Sequence, residues 1–180
     1  VEDPVEYRLR GITQVQARPV AGRTFALALR SILRQDPDII LIGEIRDAET
    51  AEIAVSAALT GHLVLSTLHT NDAVGAISRL IDLGIPPFLV ASALLGTAAQ
   101  RLIRTSCPKC REAFKPSEQE LQRLFGDKPE IDTNIELYHP NGCESCYQTG
   151  YQGRKSIYEI LCVTPKIRRL IMDGRSDQDI

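Results

Sequence analysis

The 180 residues contain no Gly-x-x-x-x-Gly-Lys-Ser/Thr, so the chain carries no glycine-rich backbone cradle and no lysine for the β- and γ-phosphates of a nucleotide. A run of about 20 apolar residues, the length a membrane span needs, is also missing. The nearest approach, residues 85–99, has Pro86 and Pro87 at its start. There is no excess of positive charge: 21 Lys and Arg stand against 23 Asp and Glu, for a net charge of −2. A nonspecific nucleic-acid binder draws its affinity from neutralising phosphates, so this balance argues against DNA or RNA as the main partner. No secretory leader precedes the first motif, and the chain opens on Val1-Glu2-Asp3-Pro4 without an initiator methionine. Its N-terminus is therefore expected to be a cut. No internal repeat and no low-complexity tract occur.

Hydrophobic residues make up 43% and charged residues 24%, a globular balance rich enough to bury a core. The length suits one ordinary domain with an appended module. Over the first hundred residues, short apolar runs alternate with amphipathic stretches. Ile39-Ile40-Leu41-Ile42 follows Asp36-Pro37-Asp38 and predicts a strand buried on both faces. Residues 63–68 predict a second strand. Between the two, residues 48–60 place Ala51, Ala54, Val55, Ala58 and Leu59 at helical spacing and stop at Gly61. Residues 24–34 and 72–83 predict further helices, the latter with Asp72 as a candidate N-cap and Gly84 as its stop. This alternation predicts an α/β fold: a parallel sheet with helices on its faces. The texture changes at Cys107. Residues 107–150 hold two Cys-x-x-Cys pairs and one amphipathic stretch, 117–125. A strand over 156–163 and a short helix over 165–172 follow.

Cys107-Pro-Lys-Cys110 and Cys143-Glu-Ser-Cys146 have the spacing of two metal-binding knuckles. Each can clamp one edge of a tetrahedral Zn²⁺, and four thiolates leave no open position for water, so such a zinc is structural. The alternative is two unrelated thiol pairs or a disulfide set. In a chain without a secretory signal the pairs read as metal binding, which implies a reducing, cytoplasmic compartment. Cys162, among Ile160, Leu161 and Val163, is expected in the core.

Three segments near strand ends carry chemistry. Glu2-Asp3-Pro4-Val5-Glu6 could be an acidic loop, or could place carboxylates where parallel α/β sheets bind ligands. A carboxylate there could orient a water or hold Mg²⁺ through water. Ile42-Gly43-Glu44-Ile45-Arg46-Asp47 has the form of a Walker B strand, but Gly43 stands where P-loop enzymes usually place the Mg²⁺-linked Asp. Glu44 and Asp47 could equally do no more than favour a helix dipole, and Arg46 could contact phosphate or pair with Asp47. His62 and His69 flank the second strand. His69 could donate a hydrogen bond to a phosphate, or be an ordinary structural residue.

In this order the segments resemble the ATPases that power type II secretion and type IV pilus assembly. Glu2-Asp3-Pro4-Val5-Glu6-Tyr7 is similar to their Asp box, and residues 33–47 are similar to their Walker B segment, where Gly-Glu is the usual form. Residues 60–72 are similar to their His box. Gln100-Arg101-Leu102 with the first Cys pair, then Gly150-Tyr151-Gln152-Gly153-Arg154 and Ser156-Ile157-Tyr158-Glu159-Ile160, resemble the family's zinc module and its return. The likeness covers nearly the whole chain. It implies a RecA-like P-loop NTPase core over residues 1–106 with its N-terminal strands and P-loop missing, a four-Cys zinc module over 107–150, and a return strand with a C-terminal helical segment over 151–180.

The resemblance further implies a cytoplasmic homo-hexamer, peripheral at the inner membrane. Such a motor couples ATP hydrolysis to pilus or pseudopilus growth through an inner-membrane platform protein. By the same carry-over, Glu2 would polarise the attacking water, Glu44 would organise Mg²⁺ and His69 would sense the γ-phosphate of ATP. Asp3, Glu6, Arg46 and Arg154 would line the nucleotide site, with Arg30 and Arg34 as weaker candidates. Retraction motors of this superfamily typically lack the four-Cys module, so assembly or secretion is favoured. The competing readings are a zinc-bearing interaction module that docks a membrane partner, and a motor for DNA uptake or transfer.

Overall fold

The computed structural model describes residues 1–18, 22–126 and 135–180. The chain divides into two compact units. One comprises Val1–Ala99 with Tyr158–Ile180, the other Gln100–Ile157.

The first unit is a mixed α/β structure built on a parallel pair of strands. Helix α1 (Phe25–Ile32) starts where Thr24, in extended conformation, accepts a hydrogen bond from the Leu27 N–H. A single 3₁₀ turn, Leu33–Gln35, follows it. Strand β1 (Ile39–Ile42) pairs in parallel with β2 (Leu63–Ser66), Ile40 opposite Val64 and Ile42 opposite Ser66. Helix α2 (Ala48–Leu59) makes the crossover, capped by Asp47 and ended by Thr60. Gly61 takes the positive φ of 106° needed to turn the chain into β2. Helices α3 (Gly75–Asp82) and α4 (Pro87–Ala93) follow, and α6 (Pro165–Met172) packs on α4. Leu29, Ile40, Ile42, Ala51, Ile77, Ile85, Val90 and Ile171 form the centre of the core.

The opening residues lie beside β1. The Val1 nitrogen donates to the Leu41 carbonyl at 2.6 Å, and the Gly43 N–H donates to the Val1 carbonyl at 2.7 Å. Glu2 in turn bridges in parallel to Gln16.

Two expectations need correction. β1 is not buried on both faces: Ile40 and Ile42 are 3% and 1% exposed, while Ile39 and Leu41 are 62% and 52% exposed. Ile40 and Ile42 face the core, while Ile39, Leu41, Leu63 and Leu65 are exposed on the other side of the pair. Cys162 is exposed rather than core. Successive side chains on a strand point to opposite sides. Leu161 and Val163 take the inner side, leaving Cys162 with the outward Ile160.

The second unit centres on the cysteines. Strand β4 (Arg111–Phe114) pairs antiparallel with β5 (Leu137–Pro140), Phe114 opposite Leu137. Phe114 and His139 stack with ring centroids 3.9 Å apart. Helix α5 (Glu118–Phe125) begins with a capping box, in which Ser117 and Glu120 satisfy each other's backbone N–H groups. Strands β3 (Gly96–Ser106) and β6 (Tyr151–Cys162) are hydrogen-bonded neighbours, and the chain passes along each from one unit into the other. β6 starts earlier than the strand expected over 156–163. Residues 127–134 of the expected four-Cys module lie outside the described residues.

Candidate functional site

The C-terminal tips of β1 and β2 lie side by side, as parallel pairing requires. The Ile45 N–H donates to the Thr67 carbonyl at 3.1 Å, and the Thr67 hydroxyl donates to the Gly43 carbonyl at 2.6 Å. This double tie brings the segments after the two strands together. His69 Nε2 lies 3.1 Å from Glu44 Oε2, and the Arg46 Nε donates to the same oxygen. Only 16% of the Glu44 side chain is exposed, against 69% for Arg46 and 79% for His69. Burial works against a charged Glu44, but the hydrogen bonds from Arg46 and His69 outweigh it. Its carboxyl is held below the ordinary carboxylate range and is ionised at neutral pH.

A depression of about 210 Å³ adjoins this carboxylate, lined by Glu2, Asp3, Pro4, Glu6, Phe25, Gly43 and Glu44. The structure thus gathers Glu2, Asp3, Glu6 and Glu44 in one acidic cleft at the strand tips, where open α/β sheets bind ligands. Gly43 is part of the reason. A Cβ there would stand 3.1 Å from the Val1 carbonyl oxygen and 3.4 Å from the Glu2 Cα. Glycine eases this close approach, since a Cβ would press on the Val1 carbonyl unless the opening segment shifted by a few tenths of an ångström.

Arg46 pairs with Glu44, not with Asp47. Asp47 instead caps α2, accepting from the Thr50 N–H at 2.8 Å and the Thr50 hydroxyl at 3.0 Å. Asp72 accepts from the Gly75 N–H at 2.7 Å, at the start of α3. His62 Nδ1 lies 3.0 Å from the Ala57 carbonyl, a structural position at the end of α2. Arg30 is paired with Glu49 on the surface at 2.7 Å. Arg34 is exposed in the turn after α1, and Arg154 is exposed on β6 in the second unit. Gln14 was not expected at the site. Its amide donates to Glu2 Oε2 and to the Tyr7 carbonyl, each at 2.9 Å, and accepts from the Leu9 N–H at 2.8 Å. It ties the Glu2 carboxylate to the loop that follows. A single glutamine in a polar stretch gives no sequence signal for such a role.

The second unit gathers Cys107, Cys110, Cys143 and Cys146 with all four sulfurs within 4.8 Å of one another. Cys107 and Cys143 are 4.0 Å apart, and Cys110–Cys146 and Cys143–Cys146 are both 3.8 Å. Four sulfurs at about 2.3 Å from a tetrahedral zinc have edges of about 3.8 Å, so the cluster fits that ion. Disulfides are absent: all four thiols are free. Burial opposes a Cys146 thiolate, yet the Cys143 and Gly150 N–H groups, 3.2 and 3.3 Å from its Sγ, bring the thiol down to about 6. Burial pushes the Cys110 thiol up to about 12, reinforced by hydrogen bonds with Cys146, Cys143 and Cys107 and opposed by the Gly142 backbone. A divalent ion replaces the protons that such a cluster shares.

A parallel strand pair with carboxylates at its tips, joined in one chain to a four-cysteine cluster, defines a mixed α/β protein with an acidic cleft in one unit and a zinc-compatible cluster in the other. The chain belongs to the Type II/IV secretion system protein family, which it matches over residues 1–180. It is 53% identical over 180 residues to the type II secretion system protein E of Dickeya dadantii, covering all of this chain and 35% of that protein. It is likewise 53% identical to the type IV pilus assembly ATPase PilB of Thermus thermophilus, covering 20% of it. The chain thus spans about a third or less of these relatives. Among solved structures, the pilus retraction motor PilT with bound ADP superposes with a TM-score of 0.65 at 31% identity, over 99% of this chain and 42% of that one. The chain is therefore a partial homologue of secretion and pilus-assembly ATPases. Among the described residues, no helix is long and apolar enough to cross a membrane.

Proposed function

We propose that these residues form the water- and metal-facing half of a RecA-like motor ATPase that drives type II secretion or type IV pilus assembly. The observation that carries this reading is the meeting of Glu44 and His69 at 3.1 Å, beside the cleft that Glu2, Asp3 and Glu6 line. Bound Mg²⁺-ATP would supply the electrophilic γ-phosphoryl group. Glu2 accepts a hydrogen bond from the attacking water and aims it. Glu44, kept ionised, would help hold a divalent ion, which when bound would offset the charge of the phosphates. His69, held against the same Glu44 oxygen, would sense the γ-phosphate. Asp3 and Glu6 line the cleft, and Arg46, paired with Glu44, is its candidate phosphate contact; Arg154, on the second unit, is not assigned to it. The phosphate-gripping loop belongs to a further part of a longer polypeptide. That polypeptide acts as a homo-hexamer in the cytoplasm, peripheral at the inner membrane, and docks a platform protein there.

The second unit supports assembly or secretion over retraction, because its cysteines fit a structural zinc. Its separation as Gln100–Ile157 also favours a second role, as a docking module for the membrane partner. The test is ATP turnover by the full-length polypeptide. Glu44→Gln should lower turnover at least about 100-fold while nucleotide binding persists. The 180-residue chain alone should turn over negligibly. Unchanged turnover in Glu44→Gln, or robust turnover by the isolated chain, overturns the proposal.

A further inference from the structure

His69 is mostly exposed, so packing does not fix it; its backbone must. The segment from Thr67 to Ala73 is an arch. Its front foot is the pair of bonds tying Thr67 to Gly43 and Ile45. Its rear foot is the Ala73 peptide, only 1% exposed. The Ala73 N–H donates to Glu159 Oε2 at 2.9 Å, and the Ala73 carbonyl accepts from the Thr97 hydroxyl at 2.7 Å. Both polar groups of one buried residue are thus held by side chains from the first residues of β3 and the last residues of β6. All of these residues lie in the first unit. Inside the arch, the Thr70 hydroxyl donates to the Asp72 carbonyl at 3.1 Å.

We infer that Glu159 and Thr97 are positioning residues for His69. They clamp the rear of the arch so that the imidazole stays over the Glu44 carboxylate. A backbone N–H buried without a partner is costly, and the two bonds fix the peptide planes on either side of Ala73. Glu159 is an exposed strand residue whose carboxylate reaches back to a loop 86 positions earlier, which a surface charge on a strand does not need to do. The catalytic part of the inference rests on the ATPase reading; the clamp itself does not.

The test has two arms. In the 180-residue chain, NMR-detected amide exchange in Glu159→Ala should speed up at Ala73 about tenfold or more, and across residues 68–75, while α1 and α2 amides keep their protection. Glu159→Gln, whose side-chain carbonyl still accepts, should restore protection. Thr97→Val should loosen the same segment. Unchanged exchange at Ala73 in Glu159→Ala, failure of Gln to rescue, or an equal loss of protection throughout the unit overturns the clamp. In the full-length polypeptide, Glu159→Ala should lower kcat with the KM for ATP little changed, and Glu159→Gln should recover it. A matched rise in KM with kcat intact overturns the positioning role. Loss of the ATPase reading would instead appear as unchanged turnover in Glu44→Gln, with the exchange arm unaffected.

Discussion

Replacing Gly43 by alanine tests the geometry that creates the cleft, and the sign of the effect decides it. Gly43 is not among the glycines with positive φ. At such a position Gly→Ala ordinarily stabilises a protein by about 0.4–1 kcal/mol, because the unfolded chain loses freedom. Here the new methyl would sit 3.1 Å from the Val1 carbonyl oxygen and 3.4 Å from the Glu2 Cα, both backbone atoms that no rotamer change can move. Overpacking of this kind costs about 1–3 kcal/mol. Once the chain-entropy gain is subtracted, the net expectation is a destabilisation centred on about 1.3 kcal/mol, within a span of about 0–2.6. The Gly43–Val1 hydrogen bond, 2.7 Å in the native chain, should be the first to loosen. Urea unfolding of the zinc-loaded chain, followed by circular dichroism, gives the midpoint shift; exchange of the residue 43 amide gives the local opening. Gly43→Asp should be worse than Gly43→Ala, and the excess should shrink in high salt, because a fifth carboxylate joins the cleft of Glu2, Asp3, Glu6 and Glu44. A Gly43→Ala chain as stable as the native one, with the amide at position 43 still protected, would refute the claim that close backbone approach favours glycine.

Three further outcomes are expected. Native protein should carry about one zinc per chain, and chelation should make four thiols reactive and unfold the second unit; Cys143→Ser should lose the metal, and a metal content well below one zinc per chain would sink the assignment. The Glu44 pKa is lowered on folding, so the stability it contributes is fully present above the ordinary carboxylate value and is lost as pH falls through the lowered one. Acid unfolding should therefore show a component absent in Glu44→Gln, and superimposable profiles of the two would contradict it. Asp47→Ala should cost about 1–3 kcal/mol, since it removes the α2 cap and strips the buried Thr50 hydroxyl of its partner; a midpoint within error of the native one would refute that role.

Helices α1, α2, α5 and α6 are legible from apolar spacing, whereas α4 is not, and α3 starts at Gly75 with Val74, not the expected Asp72, as its N-cap. Thr24, Asp47, Ser117 and Thr164 each accept a hydrogen bond from a first-turn N–H, and these residue types announce themselves in sequence. The two Cys-x-x-Cys pairs were legible for a similar reason, since spacing alone makes each a clamp. Burial was less so. Ile39-Ile40-Leu41-Ile42 is apolar at every position, and nothing in such a run says which alternate residues will face the core. Cys162 was misplaced because its neighbours Leu161 and Val163 are inward and it takes the opposite phase. Long-range polar ties left no trace at all. Gln14 on Glu2 and Glu159 on Ala73 are side-chain bonds set by tertiary placement, and no local pattern specifies their partners.

The cleft and the strand tip are therefore one construction rather than two motifs that happen to meet. Val1 bonds to both Leu41 and Gly43, and the missing side chain at position 43 leaves room for that approach. That pairing delivers Glu2 to the end of β1, and Gln14 then holds its carboxylate. The same Gly43 offers its carbonyl to Thr67, which starts the arch bearing His69. An aspartate at position 43 would add a charge beside Glu44 but press its Cβ on the Val1–Glu2 backbone. The Gly-Glu sequence thus leaves room for the Val1–Glu2 backbone beside β1 and leaves Glu44 as the strand-tip carboxylate that the His69 arch reaches.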